Sequence, residues 1–133
     1  NSGTVASYTS LSSLGLQASN NFVKNFEIGM SIASLKAKAS DISYSTSDTI
    51  ATGTVITLGN GDKYTAVIYG DLTGDGIINS ADLLKMRQYL LGTTSLTDAY
   101  LEAAHTAKNE SVNSADLLKM RQYLLGTSNI VQS

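Results

Sequence analysis

Oxygen-bearing side chains recur at nearly alternate positions in the run DLTGDGIINSAD, residues 71–82. Counted from Asp71, positions 1, 3, 5, 9 and 12 hold Asp71, Thr73, Asp75, Asn79 and Asp82. Position 7 is Ile77, which can offer only its backbone carbonyl, and position 6 is Gly76, which suits a sharp turn. Such a set serves a hard cation that takes roughly six to eight oxygens, and a flexible loop with carboxylates favours calcium over magnesium. Two positions depart from the commonest pattern. Thr73 is a neutral donor, and Asp82 is shorter than the usual glutamate. The metal-free alternative is a solvated Asp/Gly turn, with Asn79 capping the next helix and Asp82 reaching back in a capping box.

The segment NSADLLKMRQYLLGT at 79–93 recurs unchanged at 113–127, 34 residues later. In the same register residues 105–116 read HTAKNESVNSAD, so His105, Ala107 and Asn109 fall where the first loop has oxygen ligands. Glu110 replaces the turn glycine, and only Asn113 and Asp116 remain of the set. The expectation is one calcium site, with the second loop degenerate and metal-free. His105 finds no second imidazole or thiolate for a transition metal, because the chain has one His and no Cys. A 34-residue period also suits tetratricopeptide repeats, but those need two helices per repeat and at least three copies.

Helices are expected over 83–91 and 117–125, each stopped by a glycine, Gly92 or Gly126. A third is expected over 96–104, with Thr97 as its N-cap. Upstream of residue 70 the texture changes: a short helix near 11–14, an extended run at 22–27, a helix over 31–39 and a strand at 42–44. TVITLGNGDKYTAVIYG reads as a hairpin turning at Asn60-Gly61. The expected fold class is α+β. Residues 1–69 form a small α/β accessory unit with a β-hairpin, and 70–127 an all-α unit of two loop–helix repeats joined by a connector helix. Residues 128–133 are a tail.

At about 100° per residue, Leu83, Met86 and Leu90 share one stripe of the repeated helix, which suits a core. Ser80, Ala81, Leu84, Arg87, Gln88 and Leu91 share a second face. That mixture suits a protein interface anchored by arginine, since Arg87 should not be buried unpaired. The alternative is that Leu84 and Leu91 pack against the connector while Arg87 snorkels.

The stretch GDLTGDGIINSADLLKMRQYLLG, a connector, and then VNSADLLKMRQYLLG make residues 70–127 resemble a type I dockerin. That family is built from two EF-hand-like (F-hand) loop–helix segments, and an aspartate at loop position 12 is what its members show. The resemblance implies a calcium-dependent module that binds a cohesin and attaches its parent secreted protein to a scaffold or cell-surface complex, as in cellulosome-type polysaccharide degradation. It implies partner contacts at Ser80, Ala81, Leu84, Arg87 and Gln88, and at Ser114, Ala115, Leu118, Arg121 and Gln122. Two equivalent faces would let one cohesin bind in two orientations. The segment before residue 70 would then be an X-like accessory domain.

Composition narrows the other classes. Hydrophobic residues at 42% and charged residues at 15% allow a packed core and argue against disorder. A net charge of −2 does not steer the chain to nucleic acid or an anionic membrane. No stretch of about 20 apolar residues spans a bilayer. The polar start, without initiator Met or signal peptide, leads us to expect a fragment of a longer secreted, extracellular protein. No catalytic constellation is evident, so the fragment is expected to be non-catalytic, with an enzymatic parent left open. One alternative is that the accessory unit binds carbohydrate through Tyr8, Phe22, Phe26, Tyr44, Tyr64 or Tyr69, although most lie in apparent strands where core use is simpler. Another is a calcium sensor, against which Met86 and Met120 read as core rather than as a Met-rich groove.

Overall fold

The computed structural model of the chain describes residues 9–46, 48–108 and 111–132. A short 3-10 turn, Ser12–Leu14, precedes β1 (Gln17–Ser19), β2 (Phe22–Lys24), α1 (Ile32–Lys38), β3 (Ser43–Tyr44), β4 (Val55–Thr57) and β5 (Lys63–Ala66). Then come α2 (Ser80–Leu90), α3 (Asp98–Ala103) and α4 (Ser114–Leu124). The architecture is α+β. The strands form one sheet in the order β1-β2-β5-β4-β3, in which β2 and β5 run parallel and the other pairs antiparallel.

Local chemistry accounts for most of these elements. Ser31 caps α1 by accepting from the Ser34 N–H, and Ile32 and Leu35 point into the core. The hairpin joins β4 to β5, and Gly61 supplies the left-handed residue (φ +95°) its turn needs. β1 was not foreseen: Gln17, Ala18 and Ser19 are all exposed, so only backbone pairing with β2 makes it a strand.

The run leading out of β5 faces two cores. Ala66 and Ile68 join Val23, Phe26, Ile32, Leu35 and Ile56 in the first. Val67 and Tyr69 join Leu72, Met86, Ala99, Ala103 and Met120 in the second. Successive extended residues point to opposite sides, so burial on both sides gives an unbroken apolar run rather than alternation. Packing therefore continues through Gly70, whose N–H donates to the Ala103 carbonyl at 2.8 Å. Phe22 of β2 also packs against the second core.

The tail is part of this packing. Ile130 is buried in the second core, a contribution of about 1.5–3 kcal/mol for a side chain of its size. The Gln132 side chain clamps Tyr69, accepting from its N–H (2.8 Å) and donating to its carbonyl (3.0 Å). The Gln132 carbonyl in turn accepts from the Asn25 N–H.

α2 and α4 pack on each other, with Met86 and Met120 wholly buried. Both helices begin at Ser80 and Ser114, three residues before the expected 83 and 117, because Asn79 and Asn113 cap them. Each cap is a full capping box closed by Asp82 or Asp116, worth about 1 kcal/mol. Gly92 and Gly126 follow the ends in left-handed conformations, as their positions led us to expect. Thr97 stands at the N-cap of α3 but makes no side-chain capping bond. Among the described residues no helix is long and apolar enough to cross a membrane.

Candidate metal centre

Asp71 is fully buried and its carboxylate organises the loop around it. Oδ1 accepts from the backbone N–H groups of Gly74 (3.1 Å) and Asp75 (3.2 Å). Oδ2 accepts from Gly76 (3.0 Å) and from Thr52 (3.0 Å), which belongs to the segment between α1 and β4. Three donors curl the loop back on its first residue, and the fourth fixes it to the sheet-bearing part of the chain. Gly76 turns at φ +85°, and a Cβ there would sit 3.0 Å from the Ile50 carbonyl, so the turn and the close approach both require glycine.

Asp82 is also fully buried. Its Oδ1 accepts from the Thr73 N–H (3.0 Å) and hydroxyl (2.9 Å), and its Oδ2 from the Asn79 N–H (2.9 Å). Asp75 is exposed and accepts from the Ile77 N–H at 3.2 Å. One carboxylate oxygen from each of Asp71, Asp75 and Asp82 lies within 4.8 Å of the others. Burial pushes the Asp71 carboxyl up to about 6; the Thr52 and Gly76 amides oppose this, and the charge of Asp82 adds to it. Asp82 is raised as well, again chiefly by burial. Converging, desolvated carboxylates of this kind are relieved by a proton or by a cation.

The donors fit calcium: carboxylates from three residues, the Thr73 hydroxyl, and the Ile77 carbonyl and Asn79 of the same loop are all hard oxygens. The elements of the metal-free reading are present too, since Asn79 Oδ1 accepts from the Ala81 N–H and Asp82 closes the capping box. Capping does not explain why Asp71 and Asp75 converge on Asp82.

Among the described residues of the second loop no such convergence is found. Buried Asp116 accepts from the N–H groups of Ala107 (3.0 Å) and Asn113 (2.8 Å), while the Thr106 hydroxyl donates to its backbone carbonyl (2.7 Å). His105 is half-buried. Asn109 and Glu110 lie outside the described residues. Among the described residues, the only group of three or more potential His, Cys, Asp or Glu ligands is the one in the first loop.

α2 and α4 present the same pattern of exposure, position by position. Ser80, Ala81 and Arg87 are exposed and Gln88 half-buried; Ser114, Ala115, Arg121 and Gln122 repeat this. Leu84 and Leu118 are each 53% exposed, and Leu91 and Leu125 are 74% and 75% exposed, which is not the environment of leucines packed beneath α3. Of the aromatic residues weighed for carbohydrate, Tyr8 lies outside the described residues. Phe26 and Tyr69 are buried, and Phe22, Tyr44 and Tyr64 are partly buried against the cores.

The sequence offered no sign of Thr52, whose contribution is a backbone N–H, nor of the pair Tyr69 and Glu102, joined at 2.6 Å from phenol to carboxylate.

Fold and site thus define an α+β protein in which an acidic loop, a candidate cation site, precedes the first of two like helices. The dockerin type I domain family matches residues 69–130, and that stretch of the chain is a type I dockerin module. Two solved structures are similar to it. One is the third cohesin ScaC in complex with the ScaB dockerin from Acetivibrio cellulolyticus, with a mutation in the dockerin's N-terminal helix and displaying a type I interaction; it is 31% identical over 49% of this chain and 92% of that chain, with a TM-score of 0.46. The other is the same pair with the mutation in the C-terminal helix, 32% identical over 48% of this chain and 90% of that chain, with a TM-score of 0.45. No curated protein matches the chain.

Proposed function

We propose that the chain is a non-catalytic docking fragment of a secreted protein. In this reading residues 70–127 form a dockerin of two loop–helix repeats joined by α3, and the module binds a cohesin on a scaffold or cell-surface protein. One calcium ion is held by Asp71, Thr73, Asp75, the Ile77 carbonyl, Asn79 and Asp82, and the second loop is metal-free. Residues 1–69 act as the accessory unit that carries the module, and 128–133 as its tail.

One observation carries the reading: the doubled helix face. An apolar side chain left in water forgoes about 1.5–3 kcal/mol of burial. Here four leucines in equivalent pairs, Leu84 with Leu118 and Leu91 with Leu125, stay more than half exposed beside Arg87 and Arg121. A repeated, mixed apolar and arginine surface is what a partner interface uses. The partner contacts are then Ser80, Ala81, Leu84, Arg87 and Gln88 on α2, and Ser114, Ala115, Leu118, Arg121 and Gln122 on α4.

Calorimetric titration against a panel of type I cohesins, in calcium and in chelator, tests this. The expected result is tight binding to at least one cohesin in calcium and its loss in chelator. Binding that survives chelation would remove the metal from the mechanism, and silence across the panel would remove the docking role.

A further inference from the structure

We infer that Lys108 does for the second loop what calcium does for the first: its ammonium, seated on the ring of Tyr69, ties that loop to the accessory unit and to α3. This rests on the reading of the second loop as metal-free.

The backbone supplies the first argument. Lys108 stands at position 4 of the second loop, where the first loop has Gly74. Gly74 adopts φ +77° and Lys108 φ +59°, so the same left-handed turn is kept although a lysine must make it. A side chain in that conformation is strained and persists only when its surroundings hold it. Glycine makes this turn at little cost in the first loop, whereas the second loop makes it with a lysine.

The contacts supply the second. The Lys108 Nζ lies 3.1 Å from the centroid of the Tyr69 ring, on the face where the ring's quadrupole attracts a cation. Tyr69 is itself held at three points: its hydroxyl donates to Glu102 Oε2 at 2.6 Å, and the Gln132 side chain clamps its backbone N–H and carbonyl. The Glu102 carboxylate, on α3, attracts the same ammonium, while Lys24 of β2 lies farther from the ring, at 5.8 Å. Partial burial against this surface, with the charge of Lys24 adding and that of Glu102 opposing, pushes Lys108 down to about 8, while the residue as a whole stays exposed.

The third argument is the contrast between the loops. A Cβ on Gly74 would meet the Thr52 carbonyl and the Tyr100 ring at 3.0 Å, so a side chain there would force its neighbours to shift. Each loop therefore meets the accessory unit by its own device, Asp71 with Thr52 in the first and Lys108 with Tyr69 in the second.

The test uses the full chain in saturating calcium. Lys108→Met and Tyr69→Leu should each lower Tm by several degrees, and the double variant by little more than either alone. Lys108→Arg should keep most of the stability. Lys108→Gly should lower Tm even though it relieves the strained turn. The Lys108 Hε resonances should be shifted upfield by the ring and return in Tyr69→Leu; if that variant does not fold, the wild-type shift and the Met/Arg contrast decide. Wild-type Tm in Lys108→Met, additive losses, or unshifted Hε resonances would overturn the inference. Calcium titration of the wild type is the separate arm: a second bound ion would overturn it, whereas one ion supports it. A chain that binds no calcium yet keeps the Lys108–Tyr69 coupling would defeat the calcium reading alone and leave the role of Lys108 supported.

Discussion

The backbone N–H of Thr52 donates to Asp71 Oδ2 at 3.0 Å across 19 residues, so the segment between β3 and β4 completes the hydrogen-bond shell of the acidic loop's first carboxylate. Thr52 is itself pinned: its hydroxyl accepts from the Ile68 N–H and donates to the Ile68 carbonyl. The run that follows β5 into the loop and the segment between β3 and β4 are therefore joined at a buried threonine.

Thr52→Val keeps the shape and deletes that hydroxyl, leaving the Ile68 N–H and carbonyl without their partner. We expect a loss of about 1–3 kcal/mol in urea unfolding. We also expect a several-fold weaker calcium Kd, because the Thr52 amide is no longer held in line with Asp71. Lost stability with an unchanged Kd would show that the loop is insensitive to the accessory unit.

Asp71→Ala removes a candidate ligand and strands four N–H donors, those of Thr52, Gly74, Asp75 and Gly76. Since a single unsatisfied buried donor costs about 1–3 kcal/mol, the variant should be destabilised by about 3 kcal/mol or more even in chelator. Calcium should no longer raise its Tm. A variant still stabilised by calcium would move the site away from Asp71.

How much of this could be read from sequence follows from which groups act. The first loop was legible because side-chain oxygens at fixed spacing are letters in the sequence: Asp71, Asp75 and Asp82 converge where the spacing puts them. α1 and the hairpin were legible from capping and turn chemistry at Ser31 and Gly61. The helix starts were three residues off because Ser80, Ala81 and Asp82 were counted with the loop while their backbone is already helical. Thr52 was invisible because its donor is common to every residue but proline. Tyr69 with Lys108 was invisible because the pair joins residues 39 positions apart, and no local pattern marks it.

Acidity should act in opposite directions on the metal-free and calcium-bound chains. The Asp71 carboxyl is raised from 3.8 to about 6, so the folded chain holds its proton more tightly than the unfolded chain does. Without calcium, this group's contribution to stability is greatest below about 3.8, falls as pH rises through that window, and is lost above about 6. The shift of about two units is worth at most about 3 kcal/mol. Asp41, held below its ordinary value by the Thr9 amide, opposes this only at lower pH still. Urea midpoints in chelator should therefore be higher near pH 4.5 than near pH 7.5. In calcium the order should reverse, because protons compete with the ion for Asp71 and Asp82. The same order in both media would contradict the assignment of these carboxylates.

The equal exposure of α2 and α4 sets the outcome for the two arginines. If a cohesin can seat either helix, removing one anchor leaves the other orientation intact. Arg87→Ala and Arg121→Ala should then each weaken binding only about twofold, the statistical factor for losing one of two equivalent modes. Arg87→Ala with Arg121→Ala removes the anchor from both, and a buried interfacial arginine is commonly worth about 2 kcal/mol or more, so affinity should fall at least about thirtyfold. Both side chains are exposed, so Tm should stay unchanged in all three variants and the effect can be assigned to the interface. A single variant that loses binding as completely as the double would show that one helix alone meets the partner.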